Sequence, residues 1–261
     1  MIRALSTAAT GMNALQTKLD VNANNVANSQ TAGFKKGRAE FQDLMYQTTR
    51  APGANTGANS RAPTGLQVGL GVRTVGTSTI QSQGDLQQTG NQLDIAIEGR
   101  GFFVVQTPDG EPAYTRDGAF KLDAEGRVVT NDGYPLAAEI VVPPDAQTVT
   151  VGADGIVTAT IDGEPEPVEL GQLELATFAN PGGLMAQGRS LFTETAASGT
   201  AIQGPPGTEG IGSVAQGMME LSNVKVVEEM IDLIAGQRAY EVNSRVVQAA
   251  DEMLQQTSNL R

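Results

Sequence analysis

The sequence predicts an α+β protein in which paired, coiled-coil-like N- and C-terminal helices flank an inserted all-β domain, a sandwich or irregular barrel. Three observations carry that reading. A heptad of apolar residues runs through the first 28 positions, a second occupies the last 39, and short β-rich runs separated by Asp-Gly turns fill the space between.

The N-terminal helix is marked by Met1, Leu5, Ala8, Met12, Leu15, Leu19, Asn22 and Val26, which step alternately by four and three. Gly11 costs about 1 kcal/mol relative to Ala, yet the pattern continues through it. Asn24, Asn25, Asn28 and Gly33 supply helix-ending chemistry. Residues 1–45 are thus a helix and the turn segment after it. An extended stretch over 46–67 and an extended connector over 68–90 follow, and the Ala, Pro, Gly, Asn and Ser content of 50–65 reads as linker.

Strand grammar dominates 91–202. The runs Leu93–Ile97, Phe102–Gln106, Arg127–Thr130, Thr148–Val151, Ile156–Ile161 and Gly171–Phe178 are strand candidates. Asp109-Gly110, Asp117-Gly118, Asp132-Gly133, Asp154-Gly155 and Asp162-Gly163 mark turns among them. Pro205-Pro206 and four glycines make 203–212 read as a linker, within a return linker over 203–222. The helix over 223–261 has Ser222 and Asn223 as candidate caps and spans roughly 58 Å at 1.5 Å per residue. Val226, Leu233, Tyr240, Val247 and Leu254 recur every seven residues, with Met230 between the first two. A neighbouring stripe carries Val227, Ile231, Ile234, Val242, Val246, Ala249 and Met253. Burying six or seven such side chains releases about 10–20 kcal/mol gross, so one partner helix does not satisfy this helix. The stripe packs either on the central domain or on other copies, and the termini meet at one pole.

Composition closes several function classes. The chain has 29 acidic and 17 basic residues, a net charge of −12, and no His, Cys or Trp. A Ser–His–Asp or Cys–His site and an ordinary zinc site are therefore out of reach, and no cofactor is implied. The acidic balance argues against nucleic acid, and no stretch approaches the ~20 apolar residues of a membrane span. No cleavable secretory signal is visible. Five basic and three acidic residues lie in 1–46, and four and seven in 216–261, leaving eight and nineteen between. The near-neutral ends are suited to an assembly interior, the acidic middle to its water-facing side.

Candidate chemistry reduces to structure. Asp94 and Glu98 share a strand face, as a glycosidase pair would, but no tuning environment accompanies them. Gly99-Arg100-Gly101 lacks the rest of a phosphate loop, and Asp123-Ala124-Glu125-Gly126 lacks a calcium loop's ligand spacing. Lys35, Lys36 and Arg38 are too few for nucleic acid and fit contact with an acidic neighbour or solvent. The chain reads as non-enzymatic.

The ends carry more than periodicity. Leu19-Asp20-Val21, Ala23-Asn24-Asn25-Val26-Ala27-Asn28, Thr31 and Gly33-Phe34-Lys35 closely resemble the N-terminal signature of bacterial flagellar rod and hook proteins. Glu220-Leu221-Ser222-Asn223-Val224, Glu228-Glu229-Met230 and Gln237-Arg238-Ala239-Tyr240-Glu241 resemble the same family's C-terminal signature. Tyr46-Gln47-Thr48, Arg50, Pro52-Gly53, Pro63 and Gly65-Leu66-Gln67 resemble the extra stretch of its distal-rod members, as do Gln83-Gly84-Asp85-Leu86 and Ala113 to Gly118 in the β region.

This resemblance implies a structural subunit of the flagellar distal rod, a rigid hollow drive shaft in the basal body that crosses the periplasm and carries motor torque to the hook. Proximal rod or hook protein is the alternative within the family. The implied partners are copies of the chain itself, proximal rod proteins, hook protein, the ring proteins around the rod and the type III export apparatus, which cleaves no signal. The implied polymer interface comprises Leu5, Met12, Leu15, Leu19, Asn24, Asn25, Val26 and Asn28 with Val226, Val227, Met230, Ile231, Leu233, Ile234, Tyr240, Val246, Val247, Met253 and Leu254. Phe41 and Met45 fit the family's export-gate pattern, and Tyr46, Arg50, Pro52, Pro63 and Leu66 mark its rod-stiffening stretch. A different class, an extracellular β-domain binding module on a coiled-coil stalk, predicts a closed oligomer instead.

Overall fold

The computed structural model describes residues 2–53, 61–162, 166–208 and 210–259. Met1 of the heptad, residues 54–60 of the 46–67 stretch, Gly163 of the last expected turn, position 209 of the return linker and the helix end at 260–261 lie outside the described residues. The chain divides into two units. One holds Met1–Val26, Gly37–Ser78 and Val226–Arg261, the other Ala27–Lys36 and Thr79–Lys225.

The first unit is built from α1 (Ile2–Ala27), β1 (Gly37–Asp43), β2 (Tyr46–Arg50), β3 (Leu66–Gly69), β4 (Val72–Thr79) and a C-terminal helix, Val226–Asn259. β1 pairs with β4, and β2 pairs antiparallel with β3 from Tyr46↔Gly69 to Arg50↔Leu66. Strands β2 and β3 thus flank the 50–65 stretch read as linker, whose described residues beyond Arg50 lie in no named strand, while the connector over 68–90 contains the end of β3, all of β4 and a third strand, Leu86–Gln88. These pairings join residues distant in sequence, so local composition does not reveal them.

The second unit holds β5 (Leu86–Gln88), β6 (Ile95–Glu98), β7 (Phe102–Gln106), β8 (Pro112–Thr115), β9 (Lys121–Leu122), β10 (Val128–Val129), β11 (Ala146–Val151), β12 (Ile156–Ile161) and β13 (Val168–Gln172). It continues with β14 (Leu175–Thr177), β15 (Met185–Gly188), β16 (Leu191–Thr193), β17 (Ile202–Gly204), β18 (Ser213–Gln216) and β19 (Met218–Glu220). A six-stranded sheet has the order β15-β16-β8-β7-β14-β17, and β11-β12-β13 form a three-stranded one.

Period-two alternation gives the larger sheet two buried faces. Phe103, Val105, Ala113, Leu175 and Leu191 face a core shared with Val149, Val151 and Val157 of the three-stranded sheet. Their neighbours Phe102, Val104, Tyr114, Ala176 and Phe192 face a second cluster with Phe178 and Leu184. Edge-to-face rings fill this second cluster, with Phe102 5.8 Å from Phe178 and Tyr114 4.8 Å from Phe178.

Of the two forms expected, sandwich or irregular barrel, the barrel is set aside: among the described residues the six-stranded sheet is open, ending at β15 and β17. β17 is three residues long and runs into Pro205-Pro206, which lack the N–H groups needed to extend a ladder. The return segment read as linker supplies strands as well, β18 pairing with β6 and β19 with β5. Asp123 Oδ1 accepts from the Glu125 and Arg127 amides, so the loop with calcium-like lettering is the β9–β10 hairpin turn.

Candidate assembly interface

The two helices, the second numbered α2 (Val226–Asn259), run antiparallel. Lys18 Nζ lies 3.3 Å from Asp232 Oδ1, and Asn25 Nδ2 donates to Glu229 Oε2 at 3.1 Å. Gly11 faces Asn243, and Gly236 faces Leu19 so closely that a Cβ there would sit 2.9 Å from Leu19 Cδ2. Where only a hydrogen fills position 236, the helices approach without a side chain between them.

Exposure along α2 separates inner from outer positions. Glu229, Gly236 and Ala250 are buried, and Leu233, Asn243, Val247 and Leu254 are half-buried. These seven keep a four-three spacing, so the inner face uses the expected Leu233, Val247 and Leu254 alternating with small or polar residues. Val226, Met230 and Tyr240 lie exposed. The neighbouring stripe also faces outward: Val227 is 71% exposed, Ile231 63%, Ile234 52% and Val242 59%, with Val246 and Met253 exposed too. Covering the remaining area of six such side chains releases about 5–9 kcal/mol gross.

On α1, Leu5, Met12, Leu15, Leu19 and Val26 are half-buried and Asn24 is exposed. Asn25 is buried, donating to the Gly37 carbonyl and accepting from the Gly37 amide, both at 2.9 Å. Asn28 is half-buried and accepts from Thr31 Oγ1. Phe41 is 39% and Met45 83% exposed, which excludes an anchoring role in a core for Met45. Tyr46, Arg50, Pro52, Pro63 and Leu66 are exposed as well. Every residue of β2 faces solvent, and the Tyr46 ring lies over Gly69 opposite it. A two-stranded ribbon so exposed is marginal on its own.

In the second unit, the segment that follows α1 and the segment that precedes α2 are knitted to each other and to residues 80–82. Gly33 adopts φ +65°, and a Cβ there would lie 2.5 Å from the Asp117 backbone nitrogen. The Gly33 amide donates to the Glu220 carbonyl at 2.9 Å. Asn223 Oδ1 accepts from the Lys36 amide, and its Nδ2 donates to the Ile80 and Ser82 carbonyls. Asn223 thus serves as a clamp rather than a cap, and α2 begins three residues later, at Val226.

Beside the clamp lies a buried ionic triad. Lys35 Nζ is 2.5 Å from Glu220 Oε1, and Arg116 Nη1 is 3.3 Å from Glu220 Oε2. All three side chains are at most 5% exposed. Lys35 also donates to the Ser82 carbonyl, Arg116 to the Gly99 carbonyl, and the Gly84 amide to Glu220. Burial pushes the Lys35 ammonium below its ordinary value; Glu220 opposes that fall and the Arg116 charge adds to it. Asp117 is pushed above the ordinary carboxylate range, chiefly by burial and also by Asp94 and Asp132.

Sequence reading groups Lys35 with two basic neighbours and knows Glu220, Glu229 and Arg116 only as parts of family-like segments, without pairing any of them with another residue. Lys35 and Glu220 are 185 positions apart, a distance at which no local charge pattern could pair them. No helix among the described residues is long and apolar enough to cross a membrane.

Three family descriptions match the chain. Residues 5–35 match flagella basal body rod proteins, 96–159 the D1 domain of flagellar hook protein FlgE/F/G, and 215–260 the C-terminal region of flagellar basal body rod FlgEFG proteins. The flagellar basal-body rod protein FlgG of Buchnera aphidicola from Schizaphis graminum is 49% identical over 260 residues, covering all of both chains. That of Borreliella burgdorferi is 48% identical over 263 residues, covering all of this chain and 99% of its own. The Caulobacter vibrioides FlgG is 47% identical over 261 residues, again covering both chains fully. With helical signatures and β region matched in register along its whole length, the chain belongs to the flagellar basal-body rod protein family and is a structural subunit of the distal rod, not an enzyme.

Proposed function

We propose that the outward apolar stripe of α2 is the principal contact through which copies of this chain build a hollow helical shaft. The observation that carries this reading is the row Val227, Ile231, Ile234, Val242, Val246 and Met253, a set of large aliphatic side chains left exposed along a 34-residue helix. Such a row rimmed by polar residues is the mark of an association surface. Joined to a different surface on the next copy, it propagates as a helix instead of closing. The half-buried Leu5, Met12, Leu15, Leu19 and Val26, together with Asn24, Asn25 and Asn28, complete the inner tube, as do Val226, Met230, Leu233, Tyr240, Val247 and Leu254.

The exposed β2–β3 ribbon, with Tyr46, Arg50, Pro52, Pro63 and Leu66, bridges neighbouring subunits and stiffens the shaft. Phe41 and Met45, both exposed, are free to meet the type III export apparatus before assembly. Proximal rod proteins and hook protein continue the shaft at its ends, and the acidic β unit faces the surrounding rings across the periplasm. Electron microscopy of the purified full chain and of a form lacking 1–28 and 223–261 tests the reading. Straight tubes from the first and monomers from the second are expected. Discrete closed oligomers of the full chain would favour the stalk-and-module alternative and overturn it.

A further inference from the structure

The ionic triad and the Asn223 clamp draw on the same three stretches of the β unit: 33–36 after α1, 80–85 ahead of β5, and 220–223 at the end of β19. Backbone bonds follow the same lines. The Ile80 amide donates to the Lys36 carbonyl and the Leu221 amide to the Asp85 carbonyl, both at 2.9 Å. Nearly all of these links span much of the chain. Lys36 and Asn223 are 187 positions apart, Lys35 and Glu220 185, Gly84 and Glu220 136, and Arg116 and Glu220 104. The main ladders of the unit are of the other kind: β7–β8, β11–β12, β12–β13 and β15–β16 each pair strands that follow one another.

Two physical effects order these events during folding. Closing a loop costs entropy that grows with its length, so successive strands pair before distant stretches meet. The triad adds a second delay. An ammonium, a guanidinium and a carboxylate keep their water until the surrounding structure closes, because losing it earlier is costly and uncompensated. Once closed, these groups hold one another where water does not reach, and opening must pull them apart there. Contacts made after the transition state leave the folding rate alone and slow unfolding.

We infer that Lys35, Arg116, Glu220 and Asn223 form a latch that closes after the folding transition state and sets the lifetime of the folded β unit. The β unit then folds to a nearly complete sheet on its local hairpins and is secured only when residues 220–223 reach 33–36 and 80–85. A structural subunit gains from this arrangement, since its endurance in place is a matter of opening rate rather than folding speed. The inference stands apart from which surface of α2 meets the next copy.

Pulse-labelling hydrogen exchange on the refolding full-length subunit, read by mass spectrometry, tests the order of events. Amides of 102–115 and 148–160 should gain protection first, and those of Gly33, Ile80, Gly84 and Leu221 in a later phase. Protection of both sets together, or of the second set first, would overturn the inference. Two variants test the lifetime. Asn223→Ala removes the bonds to Lys36, Ile80 and Ser82 and should speed opening of the β unit about tenfold. Glu220→Gln should speed it about a hundredfold or more. Both are read from exchange of the 102–115 amides under conditions where every opening leads to exchange, and refolding should slow less than about twofold in each. An unchanged opening rate, or refolding slowed by the same factors, would contradict a latch that closes late. If Glu220→Gln does not fold, Asn223→Ala and the order of protection in the unsubstituted chain decide the matter.

Discussion

Removing the Glu220 carboxylate should be the most damaging single change in the β unit. Its two oxygens hold the Lys35 ammonium and the Arg116 guanidinium in a place all but closed to water. Glu220→Gln leaves both cations buried without compensation and should cost about 3–5 kcal/mol, measured by chemical denaturation of the free subunit. A loss below 1 kcal/mol would show that water reaches the triad. Asp117 gives the opposite case. Its folded value stands above the ordinary one, so ionisation costs stability above the folded value, and that cost is absent below about 3.8. Asp117→Asn keeps an Oδ1 acceptor for the Ala119 amide and should raise the melting temperature at pH 7 by a few degrees, a gain that fades as the pH approaches 3.8. An equal gain at both pH values would contradict the burial argument. Neither behaviour was legible in the sequence, where Glu220 stands 104 positions from Arg116 and its signature says nothing of a buried partner.

At the scale of elements, periodicity was informative wherever one face is apolar and the partner is a plain surface. The heptads placed both helices, and Phe102–Gln106 and Ile156–Ile161 emerged with the expected limits. Pattern reading failed where small or polar residues make the contact. Gly236, Asn243 and Glu229 line the inner face of α2 yet leave no hydrophobic trace. The return segment 203–222 likewise looked like a linker because the partners of its strands, β6 and β5, lie more than a hundred residues back along the chain. The outward stripe of α2 yields a prediction at this scale. Ile231→Asp combined with Ile234→Asp alters residues 63% and 52% exposed, so the helical content and stability of the free subunit should change by less than about 0.5 kcal/mol per site. Its assembly threshold should rise about a hundredfold or more, read by sedimentation. Unaltered assembly would remove the stripe from the interface.

For the whole molecule, the proposed shaft divides labour as the charge pattern suggests, with near-neutral helical ends for assembly and an acidic β region for the outside. The sheet order and the open edges at β15 and β17 were not legible, since strand spacing alone does not distinguish an open sheet from a closed one. The β2–β3 ribbon tests the mechanical side of this division. Replacing 46–67 by a short Gly-Ser turn should leave each unit folded and give tubes of shorter persistence length, measured from electron micrographs. Equal stiffness would end the bridging role. The most direct test of the central claim uses the natural absence of cysteine, which lets a single Ile231→Cys thiol report without background. Its rate of alkylation is compared in free subunits and in assembled shafts. Rapid reaction in the subunit and strong protection in the shaft is the expected result, and equal reactivity in both states would contradict the assignment of α2 as the polymer interface.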